Sequence, residues 1–276
     1  MSLTINLTDT NCTHVWSLCA LPDDVLLIAC GRAGLRAVSL NSTQLSAHKP
    51  PTIRNVYKVA FDKHTDTLLL IVAYNDIMYS LVSLRRNASE WLEVMRLSTN
   101  LSTDDDYAPV IAVCDSHVLL ADGGNNTVYV FNVNAEHSVI RAGSVSVENE
   151  FYRLACTRRE GDTLVALANT SSVQLHRLTS APLRLDMLSK VDLEYPSPSG
   201  LLFFGGVLLV AHWNNSNEYA IVSLRVSGNL TEPRVLFNTR AYEGEYLAAV
   251  WALACERLVY WDFRSLGHRL LVYAFE

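Results

Sequence analysis

Residues 25–34 read VLLIACGRAG, an apolar run rich in β-branched residues and leucine that ends in a small residue and continues into a polar turn. Five later segments share this pattern: TLLLIVAYND from 67, HVLLADGGNN from 117, TLVALANTSS from 163, VLLVAHWNNSN from 207 and RLVYWDFRS from 257. Their equivalent positions are Ala29, Ala73, Ala121, Ala168, Ala211 and Trp261, which are spaced by 44, 48, 47, 43 and 50 residues. A period in the forties built from strands alone is typical of a four-stranded propeller blade.

Each of these runs lies between two other apolar segments, and in five repeats a fourth, more polar segment follows, such as WLEVMRLS at 91–98. The last repeat reaches Glu276 after its third segment, whereas LTINLTD at 3–9 alternates apolar and polar residues as a strand does. We therefore predict an all-β fold, a six-bladed β-propeller of four-stranded antiparallel blades. The N-terminal strand is expected to close it by pairing beside 270–275, which removes an exposed sheet edge.

Composition is consistent with one domain over residues 1–276, because 50% hydrophobic residues in a chain of this length can bury a large core. The 22 basic residues against 28 acidic ones argue against nucleic acid as a partner, since phosphate binding needs a concentrated basic face. No apolar run is long enough to span a membrane, and the N-terminus lacks a signal-peptide pattern. The start at Met1-Ser2-Leu3 and the abrupt end suggest a domain taken from a longer protein.

The segment IAVCDSHVLLADGGNNTVYVFNV at 111–133 resembles an NHL repeat in its apolar strand, its Ala-Asp-Gly-Gly-Asn-Asn turn and its Val-Tyr-Val-Phe strand. The other repeats match that pattern poorly, and Trp261-Asp262 is the one Trp-Asp dipeptide that would suit a WD repeat. The resemblance implies a six-bladed platform that binds protein or RNA, or an enzyme with a site in the channel. The acidic balance argues against RNA.

A binding face is expected where the turns between the second and third strands meet the connections between blades, since both lie at one end of a propeller. These turns carry large side chains where Gly, Asn or Asp would suffice, and tryptophan and arginine often dominate binding energy. We predict that a protein or peptide partner binds there, around Trp213. The predicted contact residues are Arg32, Tyr74, Asp76, His212, Trp213, Asn214 and Arg264.

An alternative function is a channel-site small-molecule binder or a metal-dependent hydrolase of the gluconolactonase type. Four oxygen- or nitrogen-bearing residues directly follow the small position in consecutive repeats and could hold a divalent cation: Asp122, Asn169, His212 and Asp262. Aspartate and asparagine are also common in turns for backbone reasons. The sequence has no nucleophile elbow, P-loop or zinc-spaced cysteine cluster, so it predicts no catalytic residue and no cofactor, and favours a non-catalytic scaffold over an enzyme.

Six cysteines are present: Cys12, Cys19, Cys30, Cys114, Cys156 and Cys255. We predict that Cys19, Cys156 and Cys255 are buried free thiols, because they align with small or apolar residues of other repeats. In an oxidising compartment, Cys114 and Cys156 are the best-placed pair, since they lie on equivalent strands of adjacent blades.

Nine asparagines begin Asn-x-Ser/Thr sequons: Asn6, Asn11, Asn41, Asn87, Asn100, Asn125, Asn169, Asn214 and Asn229. Asparagine, serine and threonine also gather in the turns of any all-β protein. The cysteine positions and the lack of a signal favour an intracellular location, with a secreted glycoprotein as the alternative.

Overall fold

The computed structural model describes residues 2–6, 12, 15–22, 24–40, 50–75, 78–87, 90–99, 101, 109–115, 117–194, 198–213, 218–227, 229–240, 251–254, 257–264 and 267–274. For residues 2–6, 75, 213, 218–219, 232, 237–240, 251–254, 257–264 and 267–274, the description is of the backbone alone. Among the described residues, no helix is long and apolar enough to cross a membrane.

The described secondary structure consists of strands and one turn of 3-10 helix at Gly123–Asn125. The N-terminal strand is β1 (Ser2–Asn6), and the first repeat forms β2 (Ser17–Leu21), β3 (Val25–Ala29) and β4 (Leu35–Ser39). The second repeat forms β5 (Val56–Asp62), β6 (Thr67–Asn75), β7 (Met78–Asn87) and β8 (Glu90–Thr99). The third forms β9 (Val110–Cys114), β10 (His117–Asp122), β11 (Thr127–Val133) and β12 (Val139–Ser146).

The fourth repeat forms β13 (Arg153–Arg159), β14 (Asp162–Ala168), β15 (Ser172–Ser180) and β16 (Leu183–Asp192). The fifth forms β17 (Pro198–Phe204), β18 (Val207–Trp213), β19 (Glu218–Val226) and β20 (Leu230–Arg240). The last forms β21 (Trp251–Ala254), β22 (Arg257–Arg264) and β23 (Gly267–Ala274). The predicted order of strands within the repeats is therefore confirmed.

The chain is an all-β propeller with five four-stranded antiparallel blades, so the predicted count of six is wrong. Four of these blades each come from one repeat, β5–β8, β9–β12, β13–β16 and β17–β20, and the fifth has the order β1-β23-β22-β21. The first repeat forms a three-stranded sheet, β2-β3-β4. Its expected fourth strand falls partly on residues 41–49, which lie outside the described residues. The described end of that segment starts with Pro50 and Pro51, which lack the N–H that a strand ladder requires.

Strand β1 pairs antiparallel with β23 in the register that aligns Leu3 with Val272 and Ile5 with Leu270. This is the pairing that the alternation at 3–9 predicted. Strand β1 thus supplies the fourth strand of the last repeat from the opposite end of the sequence. It covers the edge of β23 that would otherwise be open.

The chain divides into two compact units, one of residues 1–103, 133–139 and 250–276, and one of residues 104–132 and 140–249. In the first unit, the sheet β2–β4 and the blade β5–β8 share a core that includes Leu27, Leu70 and Val82. In the second unit, the core between β9–β12 and β13–β16 includes Phe151 and Val165, and a further core joins β13–β16 to β17–β20.

Burial follows the position of each strand in its blade. Residues 25–29 of β3 and 68–71 of β6 are fully buried, as expected for uninterrupted apolar runs covered on both faces. The outermost strand β8 instead alternates exposed and half-buried side chains. The predicted assignment of apolar inner strands and half-solvated outer strands is confirmed.

Two disulfides are present, Cys12–Cys30 and Cys114–Cys156, with Cα–Cα distances of 5.1 and 5.7 Å. The prediction that Cys156 is a free thiol is therefore wrong, and the conditional pairing with Cys114 is confirmed. Equivalent positions on the innermost strands β9 and β13 lie close enough for this bond. Cys19 is buried and free as predicted, and burial raises its thiol pKa to about 12, which makes it unreactive. Cys255 lies outside the described residues.

Acid is expected to destabilise the fold through His176. This histidine is buried in β15 with its Nε2 3.1 Å from Oε1 of Gln174, and burial lowers its pKa. The unfolded chain, in which histidine has a pKa of about 6.5, thus binds the proton more tightly, and stability falls as the pH drops below that value. The loss is at most about 1.4 kcal/mol per pH unit for this residue.

Thermal melts at about pH 7.5 and about pH 5 measure this effect, and His176→Gln is expected to show a smaller fall in melting temperature than the wild type. Part of the fall remains in the variant, because burial also lowers the pKa of His117. Equal falls in the two proteins would show that His176 does not contribute.

Candidate functional site

Two of the predicted contact residues have described side chains on the surface of the first unit. Arg32 is exposed in the turn between β3 and β4, and Tyr74 is 75% exposed near the end of β6. Both lie at the end of their sheets where first strands begin and second strands end, as the antiparallel order requires.

Aromatic rings that the sequence did not predict lie beside them. The ring centroids of Trp16 and Tyr57 are 4.9 Å apart, and those of Tyr57 and Tyr79 are 5.8 Å apart in an edge-to-face arrangement. Tyr74 and Met78 lie at the same end of this blade: Tyr74 follows Ala73, which pairs with Tyr79, and Met78 is 41% exposed at the start of β7. We call Trp16, Tyr57, Tyr74, Met78 and Tyr79 the aromatic patch.

Trp16 is held in place from several sides and is still 37% exposed. Its backbone N–H donates to the carbonyl of Ala29 at 2.9 Å, and its own carbonyl accepts from Nζ of Lys58 at 3.1 Å. The Cys12–Cys30 disulfide ties the segment before it to the end of β3. The indole lies over Gly31, where a Cβ would come within 2.9 Å of Nε1. Only glycine therefore leaves room for the ring.

The turn that carries Arg32 is fixed to the neighbouring blade. Gly31 and Val56 exchange backbone hydrogen bonds of 2.9 and 3.0 Å, and the turn closes with a 2.8 Å bond from the N–H of Cys30 to the carbonyl of Gly34. Gly34 has φ +78°, and a Cβ there would collide with the carbonyl oxygen of Ile53. The backbone around the patch is thus preorganised, which lowers the entropic cost of binding.

In two described segments beside Trp16 and Tyr57 the charged residues are positive, whereas Asp76, between Tyr74 and Met78 in the sequence, lies outside the described residues. Segments 29–34 and 53–58 carry Arg32, Arg54 and Lys58 and no acidic residue, and both arginines are exposed. This contrasts with the net charge of −6 over the whole chain. The patch and its surroundings therefore combine aromatic surface with local positive charge.

The other predicted contact residues lie elsewhere. His212 is buried at the end of β18, so its imidazole is not on the surface. Trp213 and Arg264 are the last residues of β18 and β22, where the backbone alone is described. Asp76 and Asn214 lie outside the described residues, so the part of the predicted face around Trp213 stays a prediction.

The candidate cation ligands take part in turns. Asp122 is buried, and its Oδ2 accepts from Nδ2 of Asn125 at 2.8 Å. Oδ1 of Asn169 accepts from the backbone N–H groups of Ser171 and Ser172 at 3.0 and 2.7 Å, an ordinary turn arrangement. Within the part of the chain that the structure describes, no three His, Cys, Asp or Glu residues are grouped as a metal site, and the side chain of Asp262 is outside that part.

A cavity of about 350 Å³ lies at the opposite end of the blades in the second unit, between the turns that follow β13 and β17. Its lining includes Arg158, Arg159, Phe203 and Phe204. Arg158 pairs with Asp115 at 3.0 Å, and Arg159 donates to the carbonyl of Val226. Both guanidinium groups thus already have partners in the protein.

No protein-family model matches the sequence, and no curated protein matches it. Solved structures do resemble the fold. A putative oxidoreductase (glucose dehydrogenase) from Thermus thermophilus has a TM-score of 0.62 at 15% identity, over 99% of this chain and 99% of that one. The β-propeller domain of Cps50 (Swd1) from Myceliophteria thermophila has a TM-score of 0.58 at 14% identity, over 95% of this chain and 84% of that one.

A chain in a crystal structure of the mitotic checkpoint complex is similar to the same degree, with a TM-score of 0.58 at 11% identity over 99% of this chain and 91% of that one. At such identities the likeness concerns the fold alone. Because these neighbours differ so widely in what they do, function has to be argued from this chain's own surface.

Proposed function

We propose that this chain is a non-catalytic scaffold that binds a protein or peptide partner through the aromatic patch. The observation that carries the proposal is the row of Trp16, Tyr57 and Tyr79 rings, with the exposed side chains of Tyr74 and Met78 at the same end of the blade. Isolated exposed apolar residues are normal on a protein surface, but a contiguous group of them is typical of an interaction site.

The chemistry of the patch suggests a partner segment with acidic and apolar side chains. Aromatic rings and Met78 offer apolar contact, while Arg32, Arg54 and Lys58 supply positive charge around them. Charge complementarity of this kind mainly sets specificity and the rate of association, and the aromatic anchors supply most of the affinity.

Trp16 is the expected anchor. It is exposed enough to touch a partner, and its packing on Gly31 and Tyr57 means that little side-chain entropy remains to be lost on binding. The contact predicted at Trp213 belongs to the second unit and is a separate prediction, which the proposal does not use.

Peptide selection tests the proposal without knowledge of the natural partner. Random dodecapeptides displayed on phage are selected on the whole chain and on a Trp16→Ala/Tyr74→Ala variant. We expect the enriched peptides to carry Asp or Glu beside aromatic or leucine residues. They should bind the variant at least about tenfold more weakly than the wild type, a difference of about 1.4 kcal/mol.

Met187→Ala is the matched control, because Met187 is an exposed apolar side chain on the outer strand β16 and is not a residue of the patch. Peptides should bind this variant as they bind the wild type. Failure to enrich any peptide, or equal binding to the patch variant, would contradict the proposed function.

A further inference from the structure

The disulfides of this chain and its glycosylation sequons both relate to the compartment in which it matures. Of the five cysteines with described positions, four form disulfides. Structural disulfides persist in oxidising compartments and are rare where glutathione and thioredoxin keep thiols reduced. The sequence also has nine Asn-x-Ser/Thr sequons, which are acceptors for N-linked glycans in proteins that are secreted.

The structure separates these sequons by the surroundings of their asparagines. Asn87 is exposed at the end of β7, in the turn to β8, and Asn229 is exposed in the turn between β19 and β20. Both turns join the third strand of a blade to its outermost strand, and both asparagines are exposed there. In its own blade, Asn87 lies at the end opposite the aromatic patch, because β7 begins at Met78 and ends at Asn87.

Asn125 has different surroundings although it too is exposed. Its Nδ2 donates to the buried carboxylate of Asp122 at 2.8 Å, and Thr127, the hydroxyl residue of its sequon, donates to the carbonyl of Asn125 at 2.9 Å. A sugar on Nδ2 would have to fit against the buried Asp122 side chain. Asn125 therefore serves as an internal control.

We propose that this chain matures in an oxidising compartment of the secretory type and carries N-linked glycans at Asn87 and Asn229. In the transfer, Nδ2 of each asparagine forms a bond to C1 of an oligosaccharide that is linked to a lipid diphosphate. The bond from C1 to the phosphate oxygen breaks, the lipid diphosphate leaves with the electron pair, and the Nδ2 proton passes to a base.

The two disulfides form by thiol–disulfide exchange. Each cysteine pair gives up two electrons and two protons to the disulfide of a thiol–disulfide oxidoreductase, which is reduced to a dithiol. This explains both disulfides, while Cys19 is buried and free among the described cysteines.

Mass spectrometry of the protein captured from its natural source tests the proposal. Enzymatic removal of N-glycans in ¹⁸O-labelled water converts each glycosylated asparagine to a labelled aspartate. We expect the label at Asn87 and Asn229 and not at Asn125, and we expect Cys114 and Cys156 to resist alkylation before reduction. The same chain produced in a bacterial cytoplasm is the unglycosylated control.

Absence of the label at Asn87 or at Asn229 would overturn the glycan assignment. Free Cys114 and Cys156 thiols in the native protein would overturn the compartment. Neither result bears directly on peptide binding by the aromatic patch, because Asn87 and Asn229 are not patch residues, and Cys114 and Cys156 belong to the second unit whereas the patch belongs to the first. Failure of this proposal is thus distinguishable from failure of the proposed function.

Discussion

Replacement of Cys114 and Cys156 by alanine is expected to lower the free energy of unfolding by about 4 kcal/mol. The two residues are 42 positions apart, so the bond removes a long loop from the unfolded ensemble. It joins the innermost strands of two adjacent blades, β9 and β13, inside the core that also holds Phe151. Its loss leaves those blades joined by packing and hydrogen bonds.

The second disulfide provides the matched comparison. Cys12 and Cys30 are 18 positions apart, and the same chain-entropy argument gives about 3 kcal/mol for their replacement. Cys19→Ala removes a buried thiol without any cross-link and is expected to cost about 1 kcal/mol. Urea unfolding of the three variants measures how much each replacement lowers the free energy of unfolding. A Cys114/Cys156 variant as stable as the wild type would show that this bond contributes nothing to stability.

Gly34→Ala is expected to cost more than about 3 kcal/mol and to weaken the site as well. Gly34 has φ +78°, and the atom that an added Cβ would meet is the backbone oxygen of Ile53, which cannot rotate away. The turn would have to move, and with it Arg32 and the hydrogen bonds between Gly31 and Val56.

Gly161→Ala distinguishes the strain of a positive φ from the collision with a neighbouring atom as causes of the stability lost in Gly34→Ala. Gly161 also has a positive φ, +91°, but no atom lies within 4 Å of its added Cβ. Its substitution is expected to cost about 1 kcal/mol, the strain of the backbone conformation alone. Chemical denaturation of both variants gives the difference, and equal losses would show that the close approach to Ile53 is unimportant.

The strands and their order were predictable from the sequence because each repeat contains two kinds of segment that differ in composition. Apolar runs such as 67–73 have the composition of buried inner strands, and segments such as 91–98 have the more polar composition of outer ones. The pairing of β1 with β23 followed from alternation at 3–9 and a missing strand at the other terminus. The blade count failed at the first repeat, where a fourth strand was expected from the regularity of the other repeats alone.

The aromatic patch was missed although the sequence contains a sign of it. Counting back three residues from the small positions Cys19, Ala60, Ala155 and Ala254 gives Trp16, Tyr57, Tyr152 and Trp251. Aromatic residues thus recur where first strands begin, at the same end as the predicted turns. What the sequence could not give is which of them meet, because the contact of Trp16 with Tyr57 joins residues of different repeats through the disulfide and the Gly31 turn.

The state of Cys156 was mispredicted for a related reason. Cys114 and Cys156 align with small residues of other repeats, which is equally consistent with buried thiols and with a bond between neighbouring blades. Distance in space decides between the two, and the sequence reports distance only along the chain.

The affinity of one enriched acidic peptide for the wild type and for Trp16→Ala, measured by fluorescence anisotropy with a melting curve for each protein, tests the binding role of the aromatic patch most directly. We expect a dissociation constant at least about tenfold higher for Trp16→Ala and a cooperative melt in both proteins, because the ring is partly exposed and its backbone is held by other contacts. An unchanged dissociation constant in a folded Trp16→Ala variant would contradict the claim that the aromatic patch is the binding surface.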